Sequence, residues 1–332
     1  MYDGNFSLWC DFIERDFISG EFKELLKNGA INGATSNPSI FKNAILSSPA
    51  YKDQILKYSH KKPKEIYEIL ATSDIRLAAE AMLKNYVEKD DGFISLEVDP
   101  TLSCSAKETY KEGKRLYASI GMPNVMIKVP ATDEGFEAMS DLLSKGINVN
   151  ATLIFSPNQT KNCLEAFKNG TKKFKKRFPG ATLPKAVISI FVSRFDRLMD
   201  EKFATLNIPT AKLGIYNATK CYYEVQNFGL SNVRALFAST GVKGGSLRPS
   251  YYVDELMFEN SVNTAPLNTI KEFLKGEKKV IKPVSDEVIN EFFDLLKQKE
   301  IDIKEIYKEL LEDGLKQFEI AFDEILKNLK GE

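Results

Sequence analysis

The chain has 332 residues and equal numbers of basic and acidic side chains, 46 of each, so its formal net charge at pH 7 is zero. With 43% hydrophobic residues, this composition excludes a disordered chain and argues against a dedicated nucleic-acid-binding protein. The chain has one histidine, His60. Catalytic Ser-His-Asp or Cys-His sets, and metal sites built on several histidines, would all depend on it, so lysine and carboxylate side chains are the better candidates for chemistry.

The N-terminal sequence and the cysteines bear on the compartment. The first residues, MYDGNFSLWCDFIERD, contain early acids and no basic segment before a long apolar run, and no stretch approaches about 18 consecutive apolar residues. Four cysteines, Cys10, Cys104, Cys163 and Cys221, are far apart and form no CxxC pair. We therefore predict a cytoplasmic protein with reduced, buried thiols, without a zinc ribbon or a disulfide framework.

Short apolar runs alternate with amphipathic stretches, which is typical of βα units and a parallel sheet. The runs that we interpret as strands are, in chain order, SLWCD to Asp11, GATSN to Asn37, GFISLEVD to Asp99, VMIKVP around Lys128, INVNATLIF from Ile147, AVISIFV from Ala186, RALFAST to Thr240 and SVNTAP near Thr264. These strands, with helices between them, predict a (β/α)8 TIM barrel of the α/β class. Because no Pro-, Gly- or Ser-rich linker and no internal repeat interrupts it, we predict a single domain over 1–332.

Two of the predicted helices have clear starts. Thr132 and Ser285 are each followed by acidic residues and are plausible N-caps, and Gly146 should end the first of these helices. The residues expected to face the core are Phe136, Met139, Leu142 and Leu143 in the first helix, and Val288, Phe292, Leu295 and Leu296 in the second.

Helical additions around 156–180 and 271–332 exceed a minimal barrel. The first is rich in lysine and has a single acid, Glu165; its basic residues are Lys161, Lys168, Lys172, Lys173, Lys175, Lys176 and Arg177. Because the chain is neutral and no aromatic-rich RNA motif accompanies the cluster, we interpret it as a solvated basic face rather than a nucleic-acid patch. The second has apolar residues at helical spacing from Ile306 to Leu326, which predicts a helix laid across the barrel or an oligomer contact.

Lys128 stands out because it lies inside an otherwise apolar strand, VMIKVP. Side chains alternate along a strand, so Met126, Lys128 and Pro130 should point into the barrel and the residues between them toward the helices. A buried lysine is costly unless it is paired or becomes a neutral amine, and a neutral amine is what Schiff-base formation with a carbonyl requires. The alternative is a strand-end lysine whose ammonium reaches solvent or an acid.

Neighbouring strands place further polar groups on the same side of the sheet. The sets that share a face are Asp11 with Trp9, Glu97 with Ser95 and Asp99, and Asn150 and Thr152 with Ile154. Several such groups at the C-terminal ends of strands indicate an active site, because that is where barrel enzymes place theirs. Each carboxylate alone could simply be the counter-ion of Lys128. We interpret Asp99, which precedes Pro100, as a helix cap.

The loops after the sixth and seventh strands commonly bind phosphate in such barrels. Here they carry Arg194 in FVSRFD, and Ser239, Lys243 and Arg248 in STGVKGGSLR, so sugar phosphates suit the site. The glycines of the second loop, which include Gly245, match neither GxGxxG nor the P-loop pattern and predict no nucleotide site.

Taken together, these motifs resemble the transaldolase family, in its branch of longer bacterial and plant-type members, through nearly the whole chain. They are LWCDFIER with Asp11, GATSNPSIF with Asn37, SLEVDP with Glu97, VMIKVPAT with Lys128, INVNATLIFS with Asn150 and Thr152, SIFVSRFD with Ser189, Phe191 and Arg194, and LFAST with Ser239. The resemblance implies a (β/α)8 barrel, no metal and no organic cofactor. It also implies transfer of a dihydroxyacetone unit from sedoheptulose 7-phosphate to glyceraldehyde 3-phosphate, giving erythrose 4-phosphate and fructose 6-phosphate.

The resemblance assigns roles to individual residues. Lys128 would be the Schiff-base nucleophile, Glu97 would act as acid and base through a water held with Thr152, and Asp11 would take the proton of the C4 hydroxyl. The residues that would bind substrate are Asn37, Asn150 and Ser189 for the three-carbon unit, and Arg194 and Ser239 for phosphate. An arginine that the family carries two positions past Ser239 is Gly241 here, which leaves Lys243 or Arg248 for the second phosphate contact.

Two other functions would share parts of this pattern. In the family's small aldolase branch, which releases free dihydroxyacetone, the Glu97 position is glutamine and the Phe191 position is tyrosine, so both residues here favour the transferase. A non-catalytic sugar-phosphate-binding barrel would predict loss of Lys128 or its acids, and all are present. We expect sugar-phosphate substrates, neither nucleic acid nor membrane as a partner, and a monomer or homodimer.

Overall fold

The predicted strands form a closed barrel in which each strand pairs in parallel with its neighbours in the sequence, and the last pairs with the first. The computed structural model describes residues 2–244 and 247–330. The strands are β1 Ser7–Cys10, β2 Gly33–Thr35, β3 Ile94–Glu97, β4 Val125–Pro130, β5 Asn148–Ile154, β6 Ala186–Phe191, β7 Val233–Ala238 and β8 Ser261–Ala265. The predicted TIM barrel is therefore confirmed.

Helices surround this barrel. They are α1 Arg15–Ser19, α2 Glu21–Lys27, α3 Pro38–Ser47, α4 Lys52–Tyr58, α5 Pro63–Ala81, α6 Leu83–Val87, α7 Ala106–Ile120, α8 Asp133–Ser144, α9 Pro157–Arg177, α10 Ser193–Thr205, α11 Leu213–Phe228, α12 Tyr251–Glu255, α13 Leu267–Phe273, α14 Asp286–Gln298 and α15 Ile303–Lys330. Short 3-10 turns occupy Asp3–Asn5, Pro49–Tyr51 and Pro100–Leu102.

The alternation predicted for β4 is confirmed. Val125, Ile127 and Val129 belong to the apolar layer between the barrel and its helices, and Met126 belongs to the cluster that fills the barrel interior. Across the sheet, Lys128 is in register with Glu97 on β3 and with Asn150 on β5. The barrel register therefore brings three predicted site residues side by side.

The predicted face of Ile154 is wrong, because β5 is irregular near its end. Leu153 has a left-handed backbone (φ 58°), and the pairing of β5 with β6 shifts between Ala151 and Ile154. An extra residue of this kind reverses the alternation of side chains. Leu153 consequently joins the interior cluster, whereas Ile154 packs in the outer layer.

The two predicted helix starts are found where expected. The Thr132 hydroxyl accepts a hydrogen bond from the Gly135 amide (3.0 Å) at the start of α8, and Ser285 directly precedes α14. In α8, Met139, Leu142 and Leu143 are buried and Phe136 is half-buried.

The predicted core face of α14 is rotated by one residue. Val288 is 44% exposed, so its assignment to the core is wrong, and Ile289 is fully buried in its place. Phe292 and Leu296 are buried as predicted, and Leu295 is half-buried. Spacings of three and four residues from Ile289 through Phe292 to Leu296 define the buried stripe, and Val288 lies to its side.

The basic residues of α9 are partly neutralised. Ion pairs join Lys161 to Glu224, Lys168 to Glu165 and Lys173 to Asp141, each at about 3 Å and each with an exposed lysine. This supports a solvated face, and the expectation that nucleic acid does not bind stays a prediction.

The last helix, α15, lies across the C-terminal end of the barrel, as one of the two sequence-based alternatives predicted. It contacts α3, α5, α10 and the end of β5. Ile306, Leu310 and Phe318 join the interior cluster, and the ring of Phe322 packs on that of Tyr67 with centroids 5.1 Å apart.

All four cysteines are free, and three are buried. Cys104 is exposed, so the prediction that it is buried is wrong. It lies in the turn between the Pro100–Leu102 segment and α7, where the backbone runs along the surface. Among the described helices, none is long and apolar enough to cross a membrane.

Candidate active site

Lys128 lies inside the C-terminal end of the barrel and is 4% exposed. Its Nζ is 3.3 Å from Glu97 Oε2, donates a hydrogen bond to the Ser36 carbonyl (3.1 Å) and lies 5.7 Å from the centre of the Phe318 ring. The side chain therefore does not reach solvent, and its charge partner is a buried carboxylate. A lysine in such surroundings is a candidate nucleophile toward a carbonyl carbon.

Glu97 is as buried as the lysine it faces. Burial raises the pKa of its carboxyl from 4.5 to about 7, Lys128 opposes this shift, and the charge of Asp11 adds to it. Apart from the 3.3 Å ion pair with Lys128, the Glu97 oxygens have no hydrogen-bond partner among the described residues, and the buried Thr152 hydroxyl has none. These unsatisfied groups at the barrel mouth are suited to a small polar ligand, because buried polar atoms are normally hydrogen-bonded.

Asp11 follows β1 and is held by a pair of threonines. Its Oδ1 accepts from the Thr35 hydroxyl (2.6 Å), which lies 2.6 Å from the Thr264 hydroxyl. Since Thr35 donates to Asp11, it accepts from Thr264. Burial raises the pKa of Asp11, while Lys128 and the Thr35 hydroxyl lower it.

Asn150 lies at the centre of a second polar chain. Its side-chain nitrogen donates to the Ser95 hydroxyl (2.9 Å), and its oxygen accepts from the Ser189 hydroxyl (2.6 Å). The three side chains are buried and come from β3, β5 and β6. Their mutual bonds fix the orientation of the amide next to Lys128.

Asn37 is fixed by the helix that follows it. It is the N-cap of α3, and its side-chain oxygen accepts from the Ile40 amide (3.0 Å), with Pro38 at the first helical position. The cap leaves the side-chain nitrogen as its remaining hydrogen-bond donor.

The predicted phosphate ligand Arg194 lies in the first turn of α10. Its guanidinium stacks over the Phe191 ring (5.2 Å) and pairs loosely with Asp313 of α15 (3.6 Å). Burial and the nearby charge of Arg197 lower the pKa of Arg194. Its Nη1 is buried without a hydrogen-bond partner among the described residues, so this N–H group is able to bind an anion.

Ser239 and Lys243 lie near this arginine. Ser239 has a left-handed backbone (φ 54°), and its hydroxyl is 3.2 Å from that of Ser193, the first residue of α10. The charges of Arg197 and, more weakly, Arg194, together with burial, lower the pKa of Lys243. These three basic residues form a cluster beside the mouth, in which Arg197 had not been predicted.

Arg248 and the glycines of the same loop do not belong to this basic cluster. Arg248 is exposed and forms an ion pair with Asp254 of α12 (2.9 Å). At Gly241 a side chain would begin 2.9 Å from the Pro266 ring, so the position has no room for one unless Pro266 moves. Gly245 lies outside the described residues. Lys243 is therefore the better placed of the two candidates for the second phosphate contact.

Asp99 does not join the site, in agreement with its interpretation as a cap. Its carboxylate accepts from the Thr101 amide (2.9 Å) and pairs with Lys64 (2.6 Å), whose Nζ also binds Glu112 (2.8 Å). Sequence reasoning also missed Thr35 and Thr264. The sequence signal for Thr35 was its position two residues before Asn37, because side chains two residues apart on a strand point to the same face.

A closed barrel whose mouth holds a buried lysine, two carboxylates and a basic cluster is typical of an enzyme that acts on phosphorylated carbonyl compounds. Comparison with known proteins narrows this class. Residues 8–329 match the family model described as Transaldolase/Fructose-6-phosphate aldolase. The chain belongs to this family.

Relatives with curated names cover nearly the whole chain. A protein named Transaldolase from Campylobacter jejuni (strain RM1221) is 51% identical over 98% of this chain and 99% of its own length. A protein of the same name from Helicobacter pylori (strain Shi470) is 44% identical over 97% of this chain and 99% of its own length.

Proposed function

We propose that this chain is a transaldolase, a transferase that moves a dihydroxyacetone unit from sedoheptulose 7-phosphate to glyceraldehyde 3-phosphate through a Schiff base on Lys128. The products are erythrose 4-phosphate and fructose 6-phosphate. The observation that carries the assignment of roles is the buried contact between Lys128 Nζ and Glu97 Oε2 (3.3 Å) at the barrel mouth. Identity to relatives named Transaldolase supports the activity itself.

The first step joins the lysine to the ketose. The amine nitrogen of Lys128 attacks the C2 carbonyl carbon while the carbonyl oxygen takes a proton, and loss of a proton from nitrogen gives the carbinolamine. The carbinolamine hydroxyl then takes a proton and leaves as water, which gives the protonated imine. These transfers need one group that can both give and take a proton. Glu97, with a pKa of about 7, can do both near neutral pH. The Thr152 hydroxyl, which has no hydrogen-bond partner among the described residues, can hold the water that relays the proton.

The second step breaks the C3–C4 bond. Asp11 takes the proton of the C4 hydroxyl, the C4 carbonyl forms, and the bonding electrons move into the protonated imine to give an enamine. The aldehyde then leaves. The enamine carbon next attacks the carbonyl of the acceptor aldehyde, Asp11 returns the proton, and water hydrolyses the new imine to free Lys128. Meanwhile, Asn37, Asn150 and Ser189 hold the three-carbon unit by its oxygens.

Phosphate binding is assigned to the basic cluster. Arg194, Ser239 and Lys243 follow the ends of the sixth and seventh strands, and the buried Arg194 Nη1 has no hydrogen-bond partner among the described residues. Release of free dihydroxyacetone, the aldolase reaction also named in the family description, is the second candidate. The glutamate at position 97 and the phenylalanine at position 191 favour transfer over release. A barrel that binds sugar phosphates without catalysis would not need the contact between Lys128 and Glu97.

The covalent mechanism is tested by trapping. The protein is incubated with fructose 6-phosphate and reduced with borohydride, and the modified peptide is located by mass spectrometry. We expect an adduct on Lys128, and the absence of this adduct would contradict the covalent mechanism. Lys128→Ala should fold, as judged by circular dichroism, and have no turnover; appreciable residual transfer would overturn the assignment. Steady release of dihydroxyacetone without an acceptor would instead favour the aldolase.

The proposal includes a cytoplasmic location, a single domain, no need for a metal or organic cofactor, no nucleic-acid or membrane partner, and a monomer or homodimer. Size measurement by light scattering, and activity after exhaustive treatment with a chelator, would test the oligomeric state and the metal independence.

A further inference from the structure

We propose a second ligand site at the opposite end of the barrel, which takes a small aromatic anion. A bowl of about 590 Å³ opens where the strands begin. Asn148, Ala186 and Val233, the first residues of β5, β6 and β7, line it, so it opens at the end of the barrel opposite the candidate active site. Met126, two residues before Lys128 on β4, also lines it. Its volume is within the usual range for small-molecule sites. This inference does not depend on the proposed function.

The floor of the bowl is apolar and aromatic. Trp9, Phe93 and Val187 line it and belong to the cluster that fills the barrel interior. The rings of Trp9 and Phe93 lie 6.3 Å apart, and Tyr86 from α6 meets Phe93 edge-on at 5.4 Å. Because these rings are rigidly packed, the protein would lose little conformational freedom when a flat apolar ligand binds.

The charges around the bowl are unbalanced. Arg234 is neutralised by Asp91, with two hydrogen bonds of 2.8 and 3.0 Å, and Asp91 is also fixed by the Trp9 indole N–H (2.9 Å). Lys89 and Lys185, which line the rim, are exposed and form no ion pair with any described residue. The rim therefore presents two uncompensated positive charges.

This combination selects the ligand by chemistry. The aromatic floor favours a planar ring, and the lysines favour a carboxylate, sulfonate or phosphate on that ring. The side-chain amides of Asn148 and Asn232 on the wall already donate hydrogen bonds to backbone carbonyls, so they do not need a hydrogen-bond partner from the ligand. A cation would be repelled by the rim, and a neutral apolar compound would gain nothing from it.

The chain provides its own reporter, because Trp9 is its only tryptophan. The probe is 8-anilino-1-naphthalenesulfonate, an aromatic anion whose emission rises in apolar surroundings and which accepts excitation energy from tryptophan. We expect saturable binding to the folded protein, with quenching of Trp9 and sensitised probe emission. The double variant Lys89→Glu/Lys185→Glu should weaken the probe by at least about tenfold, or about 1.4 kcal/mol.

Matched controls separate this site from the barrel mouth. Lys316→Glu reverses an exposed charge on α15, and should leave probe affinity unchanged. Saturating fructose 6-phosphate should not displace the probe, even if the proposed catalytic activity proves wrong. The proposal is overturned if the probe does not bind, if the double variant binds it as tightly as the native chain, if fructose 6-phosphate displaces it, or if Trp9 emission is unaffected.

Discussion

Asp313 Oδ2 lies 3.6 Å from Arg194 Nη1, so the last helix places a carboxylate against the proposed phosphate ligand. That distance is too long for a hydrogen bond, and the Nη1 atom is otherwise unpartnered among the described residues. Asp313 is about half exposed, so it can turn away when a phosphate arrives. In this geometry α15 both covers the candidate site and places a carboxylate that would compete with the phosphate proposed to bind Arg194.

Asp313→Asn should therefore tighten phosphate binding. Removal of the competing charge is expected to lower the KM for fructose 6-phosphate, and the inhibition constant of inorganic phosphate, by about two- to fivefold, or about 0.4–1 kcal/mol. Steady-state kinetics at low ionic strength measure this. Asp323→Asn removes a carboxylate of the same helix that pairs with Lys327, and should change neither constant. An unchanged or raised KM in Asp313→Asn would count against the competition.

The two candidates for the second phosphate contact make opposite predictions. Lys243 lies within the field of Arg194 and Arg197, whereas Arg248 is engaged by Asp254. Lys243→Ala should raise the KM for phosphorylated substrates about tenfold, a loss of about 1.4 kcal/mol, with a smaller effect on kcat. Arg248→Ala should leave both constants within twofold of the native values, roughly the noise of surface substitutions. The reverse ranking would assign the contact to Arg248.

Stability should depend on pH through Glu97. Its pKa is about 7 in the folded chain and near 4.5 when solvated, so between these values the folded state holds more protons than the unfolded state. The free energy of unfolding should then fall as pH rises from about 4.5 to about 7, by on the order of 3 kcal/mol from this group. Glu97→Gln removes that component.

Urea unfolding at pH 5 and pH 8 measures the effect. The free energy of unfolding of Glu97→Gln minus that of the native chain should be larger at pH 8 than at pH 5. Glu309→Gln, on the exposed face of α15, should follow the native chain at both pH values. A constant difference between Glu97→Gln and the native chain would show that Glu97 titrates alike in the folded and unfolded states.

A buried ion pair away from the site should govern overall stability. Asp74 is fully buried and accepts from the Arg15 guanidinium (2.8 and 3.0 Å) and from the Tyr51 hydroxyl (2.7 Å). Asp74→Ala leaves both donors without their acceptor, so it should destabilise the chain by about 3–5 kcal/mol. Chemical denaturation checks this, with exposed Asp53→Ala as the control. A loss below about 1 kcal/mol would mean that water replaces the carboxylate.

Much of the barrel could be predicted because the strands obey a simple physical rule. Inward and outward positions along β4 demand different residues, so Lys128 stands out against its apolar neighbours. The same rule fails at Leu153, where no glycine signals the left-handed residue that reverses the alternation. Local pattern alone could not separate Val288 from Ile289, because both are apolar and only packing against neighbours decides which is covered.

The chemistry of the site was predictable only where the residue type is unusual for its place. A buried lysine and strand-end carboxylates attract notice, whereas Thr35 and Thr264 are ordinary strand residues whose link to Asp11 arises from the closure of β8 on β1. Arg197 is likewise one of many surface basic residues until the fold sets it near Lys243. Contacts between residues distant in sequence decide these roles, and no local spacing encodes them.

The position of α15 also sets an order of events during synthesis. The ribosome makes all eight strands before this helix, so a newly made barrel leaves Leu153 and Phe155 uncovered, although both are fully buried in the finished protein. Until α15 emerges, these apolar side chains form the kind of exposed surface that chaperones bind. Emergence of α15 from the ribosome is therefore the step that encloses the proposed active site.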